Sequence, residues 1–475
     1  MKRTSLLFIF AFFLGGSTPA QEQPYIAPTD PAVQKKLEWW GDLKFGLLMH
    51  WGPYSQWGIV ESWSLCSEDE PWCRRTGPYA ENYAEYVKAY EKLKTTFNPT
   101  RFDPARWAAA AAAAGMRYVV FTTKHHDGFS MFDTRQTDYN ITSQDCPFHA
   151  NPNADVTRAI FDAFRQKGLG IGAYFSKPDW NNNDYWWRRF ATPDRNVNYD
   201  PAKYRERWQR FKEFTYNQIQ ELMTGYGRVD ILWLDGGWVR PMSSNRPSWA
   251  KSPYDQDIDM PRIAAMARSH QPGLIVVDRS VHGPYENYRT PEQEVPAAPL
   301  DYPWETCMTM AASWSYVPND AYKPTRTLIH LLVDIVAKGG NFLLNVGPGP
   351  DGEWHDAAYE RLREIGAWMK VNGEAIYGSR PLPPYATNKI RYTRSKDGRT
   401  AFAFYLADKE EMEPPAEITL DGVLPKDGST IQILGAATQP LRWRKAGQAT
   451  VVSVPDELRK SPPCQHAWVM RFETK

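Results

Sequence analysis

The sequence predicts an α/β protein: a (β/α)8-like (TIM) barrel followed by a small C-terminal β-sandwich. Three observations carry that prediction. From about residue 38 to 375, short apolar runs alternate with amphipathic helix-like segments, the pattern of a parallel sheet covered by helices. So many units fit a closed barrel better than an open sheet, and no G-x-G-x-x-G turn follows an early strand. Near residue 378 the texture changes to short alternating strands punctuated by Gly, Pro and Asp. The expected organisation is a leader over residues 1–20, the barrel over 21–377 and the sandwich over 378–475.

Taken in order, "LKFGLLMHWG" reads as the first strand. "ENYAEYVKAYEKL" and "DPARWAAAAAAAG" read as helices, the second opened by Asp103-Pro104 and closed by Gly115. "MRYVVFTTK", "LGIGAYFS" and "VDILWLD" are strands, separated by the helices "ADVTRAIFDAFRQKG" and "PAKYRERWQRFKEFTYNQIQELMTGYG". The helix "MPRIAAMARSH" precedes the strand "LIVVDR", and a further strand is expected in "TMAASWSY". "PTRTLIHLLVDIVAKGG" and "DAAYERLREIGAWMKVNG" are helices flanking the strand "NFLLNVGP". "YGSRPLPPYA" reads as a linker, and "TAFAFYLA", "AEITL", "STIQIL", "QPLRWRK", "ATVVSV" and "HAWVMRF" as sandwich strands without a helix.

Residues 1–20 read as a secretory signal peptide: Lys2 and Arg3, the apolar run "LLFIFAFFL", then small residues before Gln21. A periplasmic or extracellular location follows from it. The run is too short for a membrane span, and no later stretch is long and apolar enough. Removing the leader takes away Lys2 and Arg3 and no acid, so the formal charge passes from +1 to −1. With no basic excess to neutralise phosphates, nucleic acid is excluded as the natural partner. Five cysteines show no metal-ligand spacing; Cys66 and Cys73 are close enough in sequence to pair across a loop. Twenty Trp, 25 Tyr and 21 Phe make up 14% of the chain, which suits a large core and equally suits a protein that stacks sugar faces on aromatic rings.

In such a barrel, functional groups gather at the C-terminal ends of strands. Those ends carry His50-Trp51, Lys124-His125-His126-Asp127, Tyr174, Asp235, Asp278-Arg279, Trp314, Tyr316 and Asn345. Beside Trp51 and near Trp63, His50 looks like part of a pocket wall. Adjacent residues on an extended strand face opposite ways, so His125 and His126 are not expected to share an ion. Hydrogen bonding to substrate hydroxyls or a structural role is expected of them, with no metal and no cofactor. Asp235, in "LDGGW", is in isolation an ordinary turn residue, with Gly236 and Gly237 leaving room beside it. Its rank rises because glycosidases use two carboxyl groups flanking the scissile bond. Candidates for the second are Glu286, Glu292, Glu294 and Glu305.

These segments, in this order, resemble the α-L-fucosidases of glycoside hydrolase family 29. The resemblance runs from "EWWGDLKFGLLMHWGPYSQWG" through "FTTKHHDGFSMFDT", "ILWLDGGW", "VVDRSVHG…YRTPEQEVP" and "WETCMTMAASWSY" to "GGNFLLNVGPGPDGEW". It implies a barrel with a C-terminal β-sandwich, a fucosylated glycan as substrate, and Asp235 as the nucleophile that forms a covalent fucosyl-enzyme. The "TPE" segment nominates Glu292 as acid/base, with Glu294 and Glu286 as alternatives. His50, His125, His126, Tyr174 and Arg279 match positions that hold the fucose hydroxyls or frame the site. Trp51, Trp63 and Trp314 supply apolar surface for the ring and its methyl group. The family often has Glu immediately before the tryptophan matching Trp63; here Glu61 is displaced by one residue, which puts its sugar contact in question. The competing readings are a non-catalytic glycan-binding protein on the same scaffold and a glycosidase for a related sugar such as an α-L-galactoside.

Overall fold

The computed structural model describes residues 23–474 apart from 67, 246 and 437–439. The expected signal peptide lies outside the described residues. Asp30 accepts a hydrogen bond from the Ala32 N–H and caps α1 (Pro31–Leu43). The barrel then alternates β1 (Phe45–Met49), α2 (Tyr83–Glu91), α3 (Pro104–Ala113), β2 (Tyr118–Lys124), α4 (Val156–Gln166), β3 (Gly170–Ser176), α5 (Arg205–Gly225), β4 (Ile231–Asp235), α6 (Met260–His270), β5 (Ile275–Asp278), β6 (Glu305–Thr309), α7 (Thr325–Ala337), β7 (Asn341–Val346) and α8 (Asp356–Asn372). The strands form one parallel sheet in the order β5-β4-β3-β2-β1-β7-β6. Strand six was expected in "TMAASWSY"; it lies earlier, and 310–316 is a loop of bends.

Strand periodicity divides the core in two. Leu47, Val119, Leu232, Val276 and Leu344 face the helices, whereas Leu48, Val120, Ile231, Trp233, Val277 and Leu343 point into the barrel. Val33, Leu37 and Trp40 of α1 join the inner cluster and close its bottom. Gly46 is the inward residue opposite Tyr118: a Cβ there would stand 2.4 Å from the tyrosine ring.

The sheet has seven strands, so its β5 and β6 edges must be joined by something else. Residues 285–293 do this without forming a strand. Asn287 N donates to Val276 O (2.9 Å) and Asp278 N to Tyr285 O (2.8 Å) on the β5 side. Glu305 N donates to Arg289 O (2.9 Å) and Gln293 N to Cys307 O (3.0 Å) on the β6 side. The barrel is closed by an irregular segment, and that segment carries Glu292.

Beyond α8, the segment expected as a linker is itself a strand. β8 (Arg380–Thr387) is followed by β9 (Ile390–Arg394), β10 (Thr400–Leu406), β11 (Glu417–Asp421), β12 (Gln432–Ile433), β13 (Arg442–Ala446), β14 (Ala449–Ser453), a short helix over Asp456–Lys460 that the sequence pattern did not indicate, and β15 (Ala467–Glu473). They make two sheets, β12-β15-β10-β9-β8 and β11-β14-β13. Phe402, Phe404 and Val469 belong to the barrel's outer core, and Trp368 Nε1 of α8 donates to Ala467 O (2.9 Å), so the larger sheet packs directly on the barrel. No helix among the described residues is long and apolar enough to cross a membrane. All five cysteines are separate thiols, Cys66 and Cys73 among them despite their closeness in sequence.

Gly46→Ala should lower unfolding stability by about 1–3 kcal/mol, because the added methyl overpacks the inner core against Tyr118. Urea titration followed by fluorescence checks this; an unchanged midpoint would show that the ring yields without cost.

Candidate active site

The inward register that buries Leu48, Gly172, Ile231, Trp233, Ile275 and Val277 places His50, Tyr174, Asp235 and Arg279 at the C-terminal mouth of the barrel. A pocket of about 820 Å³ opens there, lined among others by His50, Glu61, Trp63, His125, His126, Asp235, Arg279, Glu292 and Trp314. At its centre, Arg279 Nη1 donates to Asp235 Oδ1 (3.2 Å) and Nη2 to Glu292 Oε2. Its Nε donates to Thr290 Oγ1 (3.1 Å), and the guanidinium lies 5.1 Å from the Trp233 ring centre. One cation therefore serves both carboxylates.

Asp235 is held by further donors. Tyr174 Oη donates to Oδ2 (2.6 Å) and the Gly236 N–H donates to Oδ1 (2.8 Å); His126 Nε2 lies 3.8 Å from Oδ2, beyond hydrogen-bond reach. Burial alone pushes this carboxyl up, but the Arg279 charge and the two hydrogen bonds outweigh it and hold Asp235 well below the usual carboxylate range. The glycines serve the backbone rather than making space. Gly236 has φ +85°, and a Cβ on it would meet Pro178 Cδ at 2.2 Å; one on Gly237 would meet Arg279 O at 2.7 Å.

Three histidines frame the sugar-sized end of the pocket, and their partners assign the tautomers. Asn345 Nδ2 donates to Trp314 O (2.7 Å), so its Oδ1 accepts from His50 Nδ1 (2.8 Å) and leaves His50 Nε2 as an acceptor. Ser176 donates to Pro178 O (2.6 Å), so His126 Nδ1 donates to Ser176 Oγ (2.8 Å) and Nε2 is again an acceptor. Ser62 Oγ accepts from Asp127 N (2.9 Å) and gives its proton to His125 Nδ1 (2.5 Å), which makes His125 Nε2 a donor. Burial lowers His50 to about 4 and His126 to about 3, and drives His125 well down, so all three are neutral imidazoles. Two acceptors and one donor are thus presented without a formal charge.

The expectation that His125 and His126 face opposite ways is corrected. β2 ends at Lys124 with an irregular register after Thr122, so strand alternation no longer applies and both rings line the pocket, 4.2 Å apart. With Asp235 they bring ligand-type atoms within 4.8 Å of one another. Each Nδ1 is committed to a serine, and the Asp235 charge is already balanced by Arg279, so the trio reads as a hydrogen-bonding set.

Comparison with known proteins gives the family. The family model described as Alpha-L-fucosidase matches residues 13–374. The chain belongs to the α-L-fucosidase family. An α-L-fucosidase of Branchiostoma floridae is 28% identical over 95% of this chain and 96% of its own, and the human tissue α-L-fucosidase 27% over 98% and 96%. Among solved structures, α-L-fucosidase isoenzyme 1 from Paenibacillus thiaminolyticus superposes with a TM-score of 0.73 at 28% identity, covering 94% of this chain and 100% of that one. The Thermotoga maritima α-fucosidase in complex with fucose gives 0.69 at 27%, covering 93% and 98%. The glycoside hydrolase resemblance and the barrel-plus-sandwich fold are thereby established.

Against that family background, the structure sorts the expected site residues. Asp235, Glu292, His50, His125, His126, Arg279, Trp63 and Trp314 line one pocket, and Tyr174 reaches it through its hydroxyl on Asp235. Trp51 does not. One residue past inward-facing His50, it turns to the outer core, packs among Phe97, Phe102 and Trp107, and donates Nε1 to Gly349 O (2.9 Å). Of the alternative carboxylates, Glu286 is buried and occupied by Ser280 N (2.9 Å) and His282 (2.7 Å). Glu305 lies inside the barrel, accepting from Tyr118 Oη (2.5 Å) and Trp233 Nε1 (3.3 Å). Glu294 is on the pocket rim. Glu61 does line the pocket despite its displacement; it accepts from Ser315 N (2.8 Å), and burial raises it to about 7. Trp72, Arg195, Trp238 and Trp249 also line the pocket and were not anticipated. All lie on loops, where no period flags an inward position; only Trp238 sat in a stretch already singled out.

Imidazole NMR should find His50 and His126 neutral at pH 5.5, where an exposed histidine is largely protonated. The unfolded chain takes up protons near pH 6.5 that the folded histidines refuse, so stability should fall as the pH drops from about 6.5 towards 4. A pocket histidine titrating above pH 6 would contradict the assigned network.

Proposed function

We propose that this protein is an exported, retaining exo-α-L-fucosidase that removes terminal α-L-fucose from oligosaccharides or glycoconjugates, with Asp235 as nucleophile and Glu292 as general acid/base. The observation that carries the reading is the shared guanidinium: Arg279 links a largely enclosed, ionised aspartate to a glutamate whose side chain is 43% exposed. The first is built to stay charged; the second is free to leave Arg279 for an arriving glycosidic oxygen. In the first step Glu292, protonated from solvent once it releases Arg279, gives that proton to the leaving oxygen as the bond from this oxygen to the anomeric carbon breaks and an Asp235 oxygen bonds to that carbon. In the second, Glu292 removes a proton from water, the new C–O bond forms, and the ester to Asp235 breaks. Two inversions leave the configuration retained.

The neutral histidine set and Glu61 would hold the ring hydroxyls, while Trp63 and Trp314 present apolar faces for the ring and its methyl group. Tyr174 and Arg279 orient Asp235 before and after the covalent stage. The fucosidase relatives support the sugar assignment, and the leader-like residues 1–20 support export.

Asp235→Ala should lower kcat on an aryl α-L-fucoside by about three orders of magnitude or more with the fold intact by circular dichroism; a near-normal rate would remove it from the nucleophile role. Glu292→Ala should be slow on the same substrate, with added azide restoring about tenfold or more. Rescue at Glu294→Ala instead would move the assignment. Amino-terminal sequencing of protein secreted by an expressing cell should begin near Gln21, and an intact Met1 on all exported material would refute cleavage of the leader.

A further inference from the structure

The aromatic surface of the pocket does not stop at the sugar-sized end. Trp63 stands edge-on to His126 (5.2 Å) and to Trp72 (5.1 Å), so it runs continuously from beside Asp235 out to solvent. Trp72 is 53% exposed and Trp249 is 41% exposed, and both line the same pocket. Exposed tryptophans at the mouth of a cleft mark a surface awaiting a partner, since water is a poor neighbour for an indole face.

Both rings are anchored. Arg195 lies under Trp63 (4.9 Å) and Trp238 (5.3 Å) while binding Asp69 and Glu70 (2.8 Å to the latter), which ties the segment bearing Trp63 and Trp72 to the pocket wall. The Arg240 guanidinium stands 5.5 Å from the Trp249 ring and donates to Ser280 O (2.7 Å), next to Arg279. The mouth offers apolar faces but little positive charge for a ligand. Arg195 is met by two acids and Arg279 by Asp235 and Glu292, while Glu294 adds an exposed carboxylate on the rim.

We infer that Trp72 and Trp249 form the leaving-group subsite, and that it takes an uncharged pyranose ring. The substrate class is then a neutral fucosylated oligosaccharide, with the ring next to fucose stacked on indole. Sialylated or sulfated neighbours are disfavoured by the Glu294 carboxylate on the rim. This rests on the fucosidase reading for which ring sits at Asp235, but its test does not need turnover.

The experiment is calorimetric titration of Asp235→Ala protein with L-fucose and with a neutral fucosylated trisaccharide, taking the best of a set of defined linkages. The trisaccharide should bind about tenfold or more tighter than fucose. Adding Trp72→Ala or Trp249→Ala should bring the two within about threefold, with Trp72→Phe keeping most of the difference. A ratio unmoved by either alanine, or a sialylated analogue that binds as tightly as the neutral one, would overturn the inference. Wild-type hydrolysis of α-L-fucosyl fluoride, which has no leaving-group ring, reports separately on the catalytic reading. Its absence would sink that reading while the affinity ratio still decides the subsite.

Discussion

The site depends on one largely enclosed guanidinium. Arg279 lies against Trp233, which faces it from inside the barrel, and its donors are divided between Asp235, Glu292 and Thr290. A buried cation without partners is costly, and two carboxylates in one pocket would repel; each problem is the other's solution. The arrangement leaves the aspartate charged in surroundings that would otherwise neutralise it, which is the state a nucleophile requires. Beneath it, buried Lys177 donates to Asp278 Oδ1 (2.5 Å), tying the end of β3 to the residue before Arg279.

The neighbouring polar groups follow the same economy. The three histidines are kept neutral by burial and pinned by a serine, a second serine and an asparagine, so their outward nitrogens are fixed as donor or acceptor before any ligand arrives. Rigid, uncharged partners suit hydroxyl groups, which would gain little from a formal charge and would have to strip its water. Preorganisation here is a property of residues behind the pocket as much as of those facing it.

How far the sequence could be read follows from where regular backbone ends. Period-two alternation carried through Leu48 to His50, through Trp233 to Asp235 and through Val277 to Arg279, so the inward residues at strand ends were legible. The same rule misled one residue beyond its range. Trp51 turned outward to the helices, while His125 and His126 both turned inward once β2 had stopped. The eighth barrel position was illegible because Pro284, Pro291 and Pro296 break any strand pattern, although the backbone there still bonds to both neighbours. Trp72 and Trp249 gave no signal because loops have no period, and β8 was hidden by the prolines of "RPLPPYA". Local pattern gave no signal for Glu292; the family resemblance nominated it, and it lies in the pocket beside Arg279.

The irregular closure of the barrel bears on how such a site can change over time. A strand of a closed barrel tolerates neither insertion nor slippage, since one added residue turns every side chain to the other face. The segment over 285–293 is under no such rule: it needs a few backbone bonds at each edge, and the chain between them can lengthen or bend. Asp235 and Arg279 are therefore locked to the scaffold's arithmetic, while Glu292 travels on the stretch with the greatest latitude. Such a scaffold can move the carboxylate at position 292 without disturbing Asp235 or Arg279.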